Sequence, residues 1–256
     1  MKTALLLADL HRLFADVDPA SYALYVHSST GYTYGQAEHT PMPAASLIKL
    51  AIAAYIETQV QLDESLLQRQ LTVPADPVAG AGVTYHLSQR TWAVQDLVDL
   101  MLSVSDNNAS NMLLAEFGLQ NVAAWAAIHY PDAILHRRLM HPEDGPKQNI
   151  ITAAGAEALL AHFFSADTPY QRLVRRALAA QTNRGKLLAL ADEDDPTLRT
   201  YAKSGELSDC EHDCARFERG DEWIDCALLL HFSDNKQQVL TLQQSVGAAI
   251  LVSLDD

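Results

Sequence analysis

The sequence predicts an α+β fold in which an antiparallel sheet, flanked by N- and C-terminal helices, carries an inserted all-helical lobe. An alternating strand pattern lies near the start of the chain, strand patterns fill its last quarter, and the stretch between is mostly helical. Strands from both ends bury their apolar faces best in one shared sheet, which makes the helical stretch an insertion. The predicted division assigns residues 1–43 and 191–256 to the sheet lobe and residues 44–190 to the helical lobe of one domain, 1–256.

The N-terminal part of the chain predicts a helix and then two strands. Apolar residues recur at spacings of three and four, which lines one helix face, and Asp18-Pro19 ends the helix. From Tyr22 to Ser28 apolar and polar residues alternate, which is typical of a half-buried strand, and a return strand begins near Tyr32. The apolar helix positions are Leu6, Leu10, Leu13, Phe14 and Val17.

Helical spacing dominates the middle of the chain, and strand patterns return near its end. A helix begins near Ala45 or Ser46, whereas prolines and glycine make Pro131–Gln148 irregular. Further helices are predicted through Trp92–Leu102, Asn111–Phe117, Asn121–Ile128, Thr152–Phe164 and Tyr170–Gln181. The last part predicts strands at Leu198–Leu207, Cys214–Arg219 and Trp223–Phe232, followed by a closing helix through Leu240–Ile250.

Charge and hydropathy exclude several classes of partner. The chain has 18 Lys+Arg against 32 Asp+Glu, a formal net charge of −14. Such a surface repels nucleic-acid phosphates and anionic lipid, so we expect neither a nucleic-acid nor a membrane partner. No segment approaches the roughly 18–20 apolar residues that span a bilayer, and Asp9 interrupts the apolar start, so we expect a cytoplasmic location. Three cysteines do not form a disulfide framework, and the oligomeric state stays open.

The first candidate motif is Ser46-Leu47-Ile48-Lys49. A serine and a lysine three residues apart share a helix face, so the amine can lie beside the hydroxyl. A desolvated lysine loses its proton near neutral pH and can act as the base that a serine nucleophile needs. Taken alone, the motif is weak, and an N-cap serine followed by a solvated lysine is the preferred interpretation.

Two further motifs follow in the chain. Ser105-Asp106-Asn107 separates two predicted helices, where these residue types also serve as caps. Lys203-Ser204-Gly205 lies in a predicted strand, where the glycine indicates either a bulge or a ligand close to the backbone.

Together the three motifs resemble the S-x-x-K, S-D-N and K-T-G set of class A β-lactamases and penicillin-binding proteins, with serine in place of the threonine. The resemblance extends to the order of elements along the whole chain, and it implies a β-lactamase/transpeptidase-like fold. The segments that carry it are Pro43–Leu50, Ala79–Val83, Asp96–Asn111 and Tyr201–Leu207.

The resemblance also implies catalytic roles. Ser46 would be the nucleophile that forms an acyl-enzyme, Lys49 would accept or relay its proton, and Ser105 would pass a proton to the leaving nitrogen. The backbone N–H groups of Ser46 and Glu206 would form the oxyanion hole, a feature in which each donor is typically worth about 10²–10³ in rate. No cofactor and no metal are implied.

The implied substrate would carry a carboxylate. Lys49 and Lys203 are two of the six lysines, so a local positive pocket on an acidic protein would select such a group. Arg184 or Arg199 would support the same anion. The implied substrate-binding residues are Asn107, Lys203, Ser204, Gly205 and Glu206.

One stretch departs from the family pattern. Class A enzymes carry a glutamate, with an asparagine four residues later, on the loop that here corresponds to Leu135–Asn149, and this pair is absent. Glu143 and Asp144 are the carboxylates of this loop, and Glu143 is the candidate catalytic residue that could orient the deacylating water. Acylation is therefore expected to survive, whereas deacylation lacks a recognisable base.

Two other chemistries can be weighed against this one. A serine–histidine–aspartate hydrolase is disfavoured because no G-x-S-x-G elbow occurs among the scattered histidines. A zinc site at Cys210, His212 and Cys214, with Cys226 nearby, has suitable ligand types but no standard zinc spacing, so small buried cysteines are the preferred interpretation.

The sequence therefore predicts a serine hydrolase that acts on a small molecule or peptide with an amide or ester bond and a carboxylate, with β-lactams as candidates. The alternatives are a sensor or binding protein that keeps a β-lactam or cell-wall peptide as a long-lived adduct, and a D-alanyl-D-alanine-type peptidase. Turnover of a chromogenic β-lactam separates an enzyme from a sensor.

Overall fold

A computed structural model describes residues 2–255 of the protein, with side chains described for residues 5–255. The α-helices are α1 (Lys2–Leu13), α2 (Lys49–Val60), α3 (Val94–Ser103), α4 (Asn107–Phe117), α5 (Leu119–His129), α6 (Ala153–His162), α7 (Pro169–Ala179) and α8 (Lys236–Asp255). The strands are β1 (Tyr22–Ser28), β2 (Thr33–Gln36), β3 (Met42–Pro43), β4 (Gln70–Thr72), β5 (Thr91–Ala93), β6 (Ala133–Ile134), β7 (Ile150–Ile151), β8 (Leu198–Glu206), β9 (Cys210–Arg219) and β10 (Glu222–His231).

Both ends of the chain contribute to one five-stranded antiparallel sheet with the order β2-β1-β10-β9-β8. Its centre is the pairing of β1 with β10, in which Tyr22 lies opposite Leu230 and Ser28 lies opposite Ile224. The predicted fold class is confirmed, because the helices from α2 to α7 enter the chain between β2 and β8. Strand β8, which carries Lys203, lies at one edge of the sheet.

Local sequence sets the start of several helices in the inserted lobe. The Asp106 side chain accepts from the Ala109 N–H at 2.9 Å and caps α4. Thr152 caps α6 by accepting from the Gly155 N–H at 3.0 Å. Thr168 caps α7, whose first residue is Pro169. These side chains satisfy N–H groups that have no partner inside the helix, which explains why each helix begins where it does.

Two apolar cores lie on opposite faces of the sheet. The larger core joins α2 to the other helices of the inserted lobe and to one sheet face. The smaller core joins α1 and α8 to the other face, and the helix face predicted around Leu6 and Leu10 is buried there. Leu187 and Leu188, which the sequence-based division assigned to the helical lobe, pack in this smaller core. Within residues 2–255, no helix has both the length and the hydropathy needed to cross a membrane.

Strand β9 begins at Cys210 rather than at the predicted Cys214. The added residues include three polar side chains that are fully buried, which sequence patterning cannot distinguish from a loop. Each has an internal partner: Glu211 lies 2.7 Å from Lys186 Nζ, His212 accepts from the Leu230 N–H, and Asp213 accepts from the Leu187 N–H. Buried polar groups are tolerated in a strand when they are satisfied in this way.

Candidate active site

Ser46 lies in a short 3-10 helix, Ala45–Ile48, that leads directly into α2. The preceding residue, Ala45, has φ of +47°, an unusual backbone for a residue with a side chain. The Ala44 N–H donates to the Asn149 carbonyl at 2.7 Å, which holds the segment from its other side. Backbone of this kind costs of order 1–3 kcal/mol and persists where surrounding contacts enforce it, often at functional sites.

The Lys49 amine is fully buried beneath Ser46 and surrounded by oxygen atoms. Its Nζ lies 3.1 Å from Ser46 Oγ and 2.9 Å from Asn107 Oδ1. It also lies 2.5 Å from the Ser105 carbonyl and 3.1 Å from Ser105 Oγ. Burial, reinforced by the nearby Lys203 and opposed by Asp106, holds the pKa of Lys49 well below its usual value. The lowered pKa favours a neutral amine beside the Ser46 hydroxyl, as a general base requires.

Ser105 connects the two lysines of the site. It lies between α3 and α4 with φ of +56°, and its Oγ is 3.0 Å from Lys203 Nζ as well as 3.1 Å from Lys49 Nζ. The next residue, Asp106, accepts from Val83 and Thr84 N–H groups at 2.7 and 2.8 Å. These bonds fix the loop that carries Ser105, so the serine is held where it can relay a proton.

Lys203 is the second fully buried amine, and it projects from β8. Its Nζ donates to Ser105 Oγ and, at 2.8 Å, to the Ser204 carbonyl. Burial lowers the pKa of Lys203 to about 7, with Lys186 acting in the same direction and Asp213 opposing it. The amine therefore changes charge near neutral pH, and an anionic ligand beside it would favour the charged form.

Gly205 allows β8 to approach the Ser46 segment closely. A Cβ atom at this position would lie 3.0 Å from the Ala45 Cβ and 3.2 Å from the Ser46 nitrogen. Any larger residue would push the strand away from the Ser46 amide. The sequence indicated either a bulge or a ligand close to the backbone at Gly205, and the structure places the Ala45–Ser46 segment against it.

Ser46 and Ser105 border a cavity of about 530 Å³, a size that suits a small molecule or the end of a peptide. Helical-lobe and sheet residues both line it, and the two buried lysines lie beneath its wall. Its lining includes Ser46, Gly80, Ser105, Asn107, Arg137, Arg138, Leu139, Gln148, Asn149, Gln181, Thr182, Asn183, Ser204, Glu206 and Leu207.

The sequence profile described as the beta-lactamase enzyme family matches residues 6–253. The chain belongs to this family. Among curated proteins, none matches the sequence significantly.

Solved structures of the same fold cover nearly the whole chain. A β-lactamase from Sphaerobacter thermophilus is 21% identical, with 98% of this chain and 97% of that chain covered and a TM-score of 0.84. A class A β-lactamase from Mycobacterium abscessus is 17% identical, covers 98% and 100%, and has a TM-score of 0.82. A leucine-to-glutamate variant of PBP-A, seen as an acyl-enzyme complex with penicillin G, is 18% identical, covers 99% and 97%, and has a TM-score of 0.80. At these identities the likeness establishes the fold.

The loop in which this family member departs from the class A pattern is held by two asparagines. Asn149 accepts from the Arg137 N–H and donates to the Arg137 carbonyl, both at 3.0 Å. Asn111 donates to the Leu139 carbonyl at 2.8 Å and accepts from the Leu139 N–H at 2.9 Å. Sequence reasoning did not assign Asn111 a role. One signal could have found it. Asn111 is the third asparagine of α4, and the preference of asparagine for helix starts explains only those at the first positions of the helix.

Neither carboxylate of this loop lines the cavity. Glu143 is largely exposed and accepts a short hydrogen bond from His141. Asp144 accepts from Arg138 Nε at 2.8 Å and Nη2 at 2.7 Å, and this pairing lowers the pKa of Asp144 to about 2. The structure therefore does not bring Glu143 to Ser46. The loop residues that line the cavity are instead Arg137, Arg138, Leu139, Met140, Pro142, Gln148 and Asn149, none of which carries a carboxylate.

The other candidates from the sequence lie outside the cavity lining. Arg184 pairs with Glu193 at 2.5 Å, and the exposed Arg199 lies 3.9 Å from Glu218. In the zinc alternative, His212 Nε2 lies 2.9 Å from the Pro43 carbonyl while its Nδ1 accepts from a backbone N–H. Both ring nitrogens are thus engaged within the protein.

Proposed function

We propose that this protein is a serine hydrolase that opens amide or ester bonds, β-lactams included, through an acyl-enzyme on Ser46. The observation that carries the proposal is the buried Lys49 amine, which lies 3.1 Å from both Ser46 Oγ and Ser105 Oγ. A lowered pKa and direct contact with a hydroxyl are the two properties that an activating base requires.

In the proposed acylation, Ser46 Oγ attacks the carbonyl carbon while its proton moves to the neutral Lys49 amine. The tetrahedral intermediate then collapses, so the carbon–nitrogen bond breaks and an ester to Ser46 remains. The proton reaches the leaving nitrogen through Ser105, whose Oγ lies between the Lys49 and Lys203 amines. The proton that left Ser46 thus ends on the amine product, and the charge balance is complete.

Substrate binding uses groups around the same cavity. Lys203 and the Ser204 hydroxyl would bind a substrate carboxylate, since both belong to the strand segment at the cavity wall. Asn107 accepts from Lys49 with its Oδ1, which orients the side-chain amide. Its Nδ2 is then available to donate to a substrate carbonyl.

Deacylation is the step for which this site is poorly equipped. Leu139 borders the cavity, whereas the two loop carboxylates do not: Glu143 is bonded to His141, and Asp144 is paired with Arg138. We therefore infer a long-lived acyl-enzyme, and this favours a β-lactam- or peptide-binding sensor as the second candidate function. The family neighbour PBP-A, captured in a variant as an adduct with penicillin G, supports the idea that this fold can hold such a species.

Intact-protein mass measurement after incubation with penicillin G tests the proposal. We expect the mass to rise by one penicillin and the adduct to map to Ser46, with no adduct on the Ser46→Ala variant. Steady hydrolysis of a chromogenic cephalosporin supports an enzyme, whereas one burst per protein molecule supports the sensor. Absence of any adduct on the folded protein would overturn the acyl-enzyme proposal.

A further inference from the structure

Two neighbouring arginines on the cavity wall have different surroundings. Arg138 donates to both carboxylate oxygens of Asp144, so its charge is neutralised within the loop. Arg137 donates through Nη2 to the uncharged Gln148 Oε1 at 2.7 Å. Within the described side chains, no carboxylate lies at ion-pair distance from Arg137.

An arginine without a carboxylate partner is uncommon in this chain, which has 32 acidic residues. Over residues 5–255, Arg90 is the other arginine of this kind, and its guanidinium donates to the carbonyls of Val73 and Pro74 instead. Arg90 does not line the cavity. A guanidinium has five N–H donors, so the single bond to Gln148 leaves most of the Arg137 donors available to a ligand.

The backbone of Arg137 is fixed relative to the nucleophile. Asn149 binds both the N–H and the carbonyl of Arg137 at 3.0 Å, and its own carbonyl accepts from Ala44, two residues before Ser46. These bonds fix the Arg137 backbone, and the bond to Gln148 holds its guanidinium.

Among the charged residues that line the cavity, Arg137 is the cation that has no carboxylate partner. Besides Arg137 and Arg138, the charged residue that lines the cavity is Glu206. Its carboxylate accepts from Asn183 and lies 3.3 Å from the buried Lys186 Nζ. A positive charge without a partner at the wall of a binding site favours an anionic ligand group.

We propose that Arg137 forms a second anion subsite, which binds an additional acidic group on the acyl side of the substrate. The preferred substrates would then be dianionic: one carboxylate at Lys203 and Ser204, and a second at Arg137. This inference rests on the proposed function, in which Asn107 holds the acyl-side amide. Asn107 and Asn111 lie one turn apart on α4, and Asn111 binds the loop at Leu139, two residues from Arg137, so the loop adjoins the acyl side of the cavity.

Penicillin G and its α-carboxy analogue carbenicillin are a matched pair of probes, since they differ by one carboxylate on the acyl side chain. We expect the wild-type protein to be acylated about 3- to 10-fold more efficiently by carbenicillin, the range for a partly exposed charge-assisted contact. Arg137→Gln should bring the carbenicillin-to-penicillin G ratio of acylation efficiencies to about one, and Arg137→Lys should retain part of the preference. Arg90→Gln, the same change at an arginine outside the cavity, should leave the ratio unchanged.

Equal loss with both probes in Arg137→Gln would overturn the second subsite, since Arg137 would then act on the shared carboxylate or on the loop. An unchanged ratio in that variant, or an equal change in Arg90→Gln, would also overturn it. If neither probe acylates Ser46, the proposed function fails, and reversible binding to Ser46→Ala decides the inference separately. Tighter binding of carbenicillin that Arg137→Gln abolishes would support the subsite, and equal binding of the two probes would reject it.

Discussion

Two buried polar clusters lie on the same face of the central sheet. One pairs its buried cation with a carboxylate, and the other surrounds its buried amines with uncharged oxygen atoms. The Arg216 cluster consists of Arg216, Asp225, Glu157 and His27. In it, Arg216 Nε and Nη2 each lie 2.6 Å from an Asp225 oxygen, and His27 Nδ1 lies 2.9 Å from Glu157 Oε1. In the active site, the buried Lys49 and Lys203 amines contact hydroxyl, amide and carbonyl oxygens. One cluster neutralises its charge, and the other leaves two amines with lowered pKa values.

The surroundings explain the difference. The Arg216 guanidinium lies 3.9 Å from the Phe164 ring centroid and 4.2 Å from that of Trp223, so packing and ion pairing both hold it. The lysine pair instead lies beneath a cavity that a substrate can enter. Paired buried charge is typical of a structural role, whereas unpaired buried charge beside a cavity is typical of a site that binds or reacts.

The largest expected effect is on acylation when the base is removed. Lys49→Met should slow acylation by penicillin G about 10²- to 10⁴-fold, because Ser46 loses its proton acceptor. Its unfolding free energy at pH 7 should equal or exceed that of the wild type, since burial disfavours the charged amine. Mass spectrometry and urea unfolding measure the two quantities. A variant that is clearly less stable would show that Lys49 serves the fold more than the reaction.

The matched change in the other cluster should have the opposite outcome. Arg216→Met should lower the unfolding free energy by about 3–5 kcal/mol, because Asp225 is left buried without its partner. Acylation of the folded variant should stay near the wild-type rate. Urea unfolding checks the first statement, with Arg216→Met/Asp225→Leu as the variant expected to recover stability. Loss of acylation in folded Arg216→Met would show that the Arg216 cluster also contributes to the reaction.

A carboxylate placed at the cavity should supply the base for deacylation that the site lacks. Because Asn111 holds the Leu139 backbone and Leu139 borders the cavity, Leu139→Glu is expected to speed loss of the acyl group about 10- to 100-fold. The decay of the penicillin adduct, followed by mass, measures this rate, and Leu139→Gln is the uncharged control. Equal rates in the two variants would mean that a base at this position cannot reach the ester.

The smallest effect is a pH dependence. The pKa of Lys203 is lowered to about 7, so its charge falls as pH rises through 7. Acylation by penicillin G should then decline relative to its methyl ester, up to about tenfold per pH unit, because only the free acid needs the charged amine. For stability the sign is reversed. The folded-state pKa lies below the ordinary lysine value of 10.5, so Lys203 lowers the free energy of unfolding by its full amount below about pH 7, and this destabilisation diminishes as pH rises toward 10.5.

Much of the fold follows from local pattern. Strand β1 occupies Tyr22–Ser28 as alternation predicts, and the three motifs lie on the elements expected for them. The start of β9 was missed because Glu211, His212 and Asp213 are polar, and only distant partners such as Lys186 make them suitable for a buried strand. The contact between Ser46 and Lys49 follows from helical spacing, whereas their meeting with Ser105 depended on a family resemblance.

The loop around Leu139 shows where local reasoning ends. Glu143 is the loop residue that sequence reasoning selected as a possible base. The structure instead places Leu139, bonded to Asn111, and Arg137, bonded to Asn149, in the cavity lining. Which side chain of a loop lines a cavity depends on hydrogen bonds from residues far away in sequence. Neither the periodicity nor the composition of the loop carries that information.

The amino-acid sequence by itself determined the order of the elements, the placement of Lys49 one helical turn from Ser46, and the class of fold, because periodicity and helix caps act between near neighbours. Tertiary structure alone decided that Lys49 and Lys203 are fully buried and close together, which loop side chains line the cavity, and which arginine of that lining lacks a carboxylate partner. Desolvation and ion pairing depend on every group that surrounds a charge, and those groups come from distant parts of the chain.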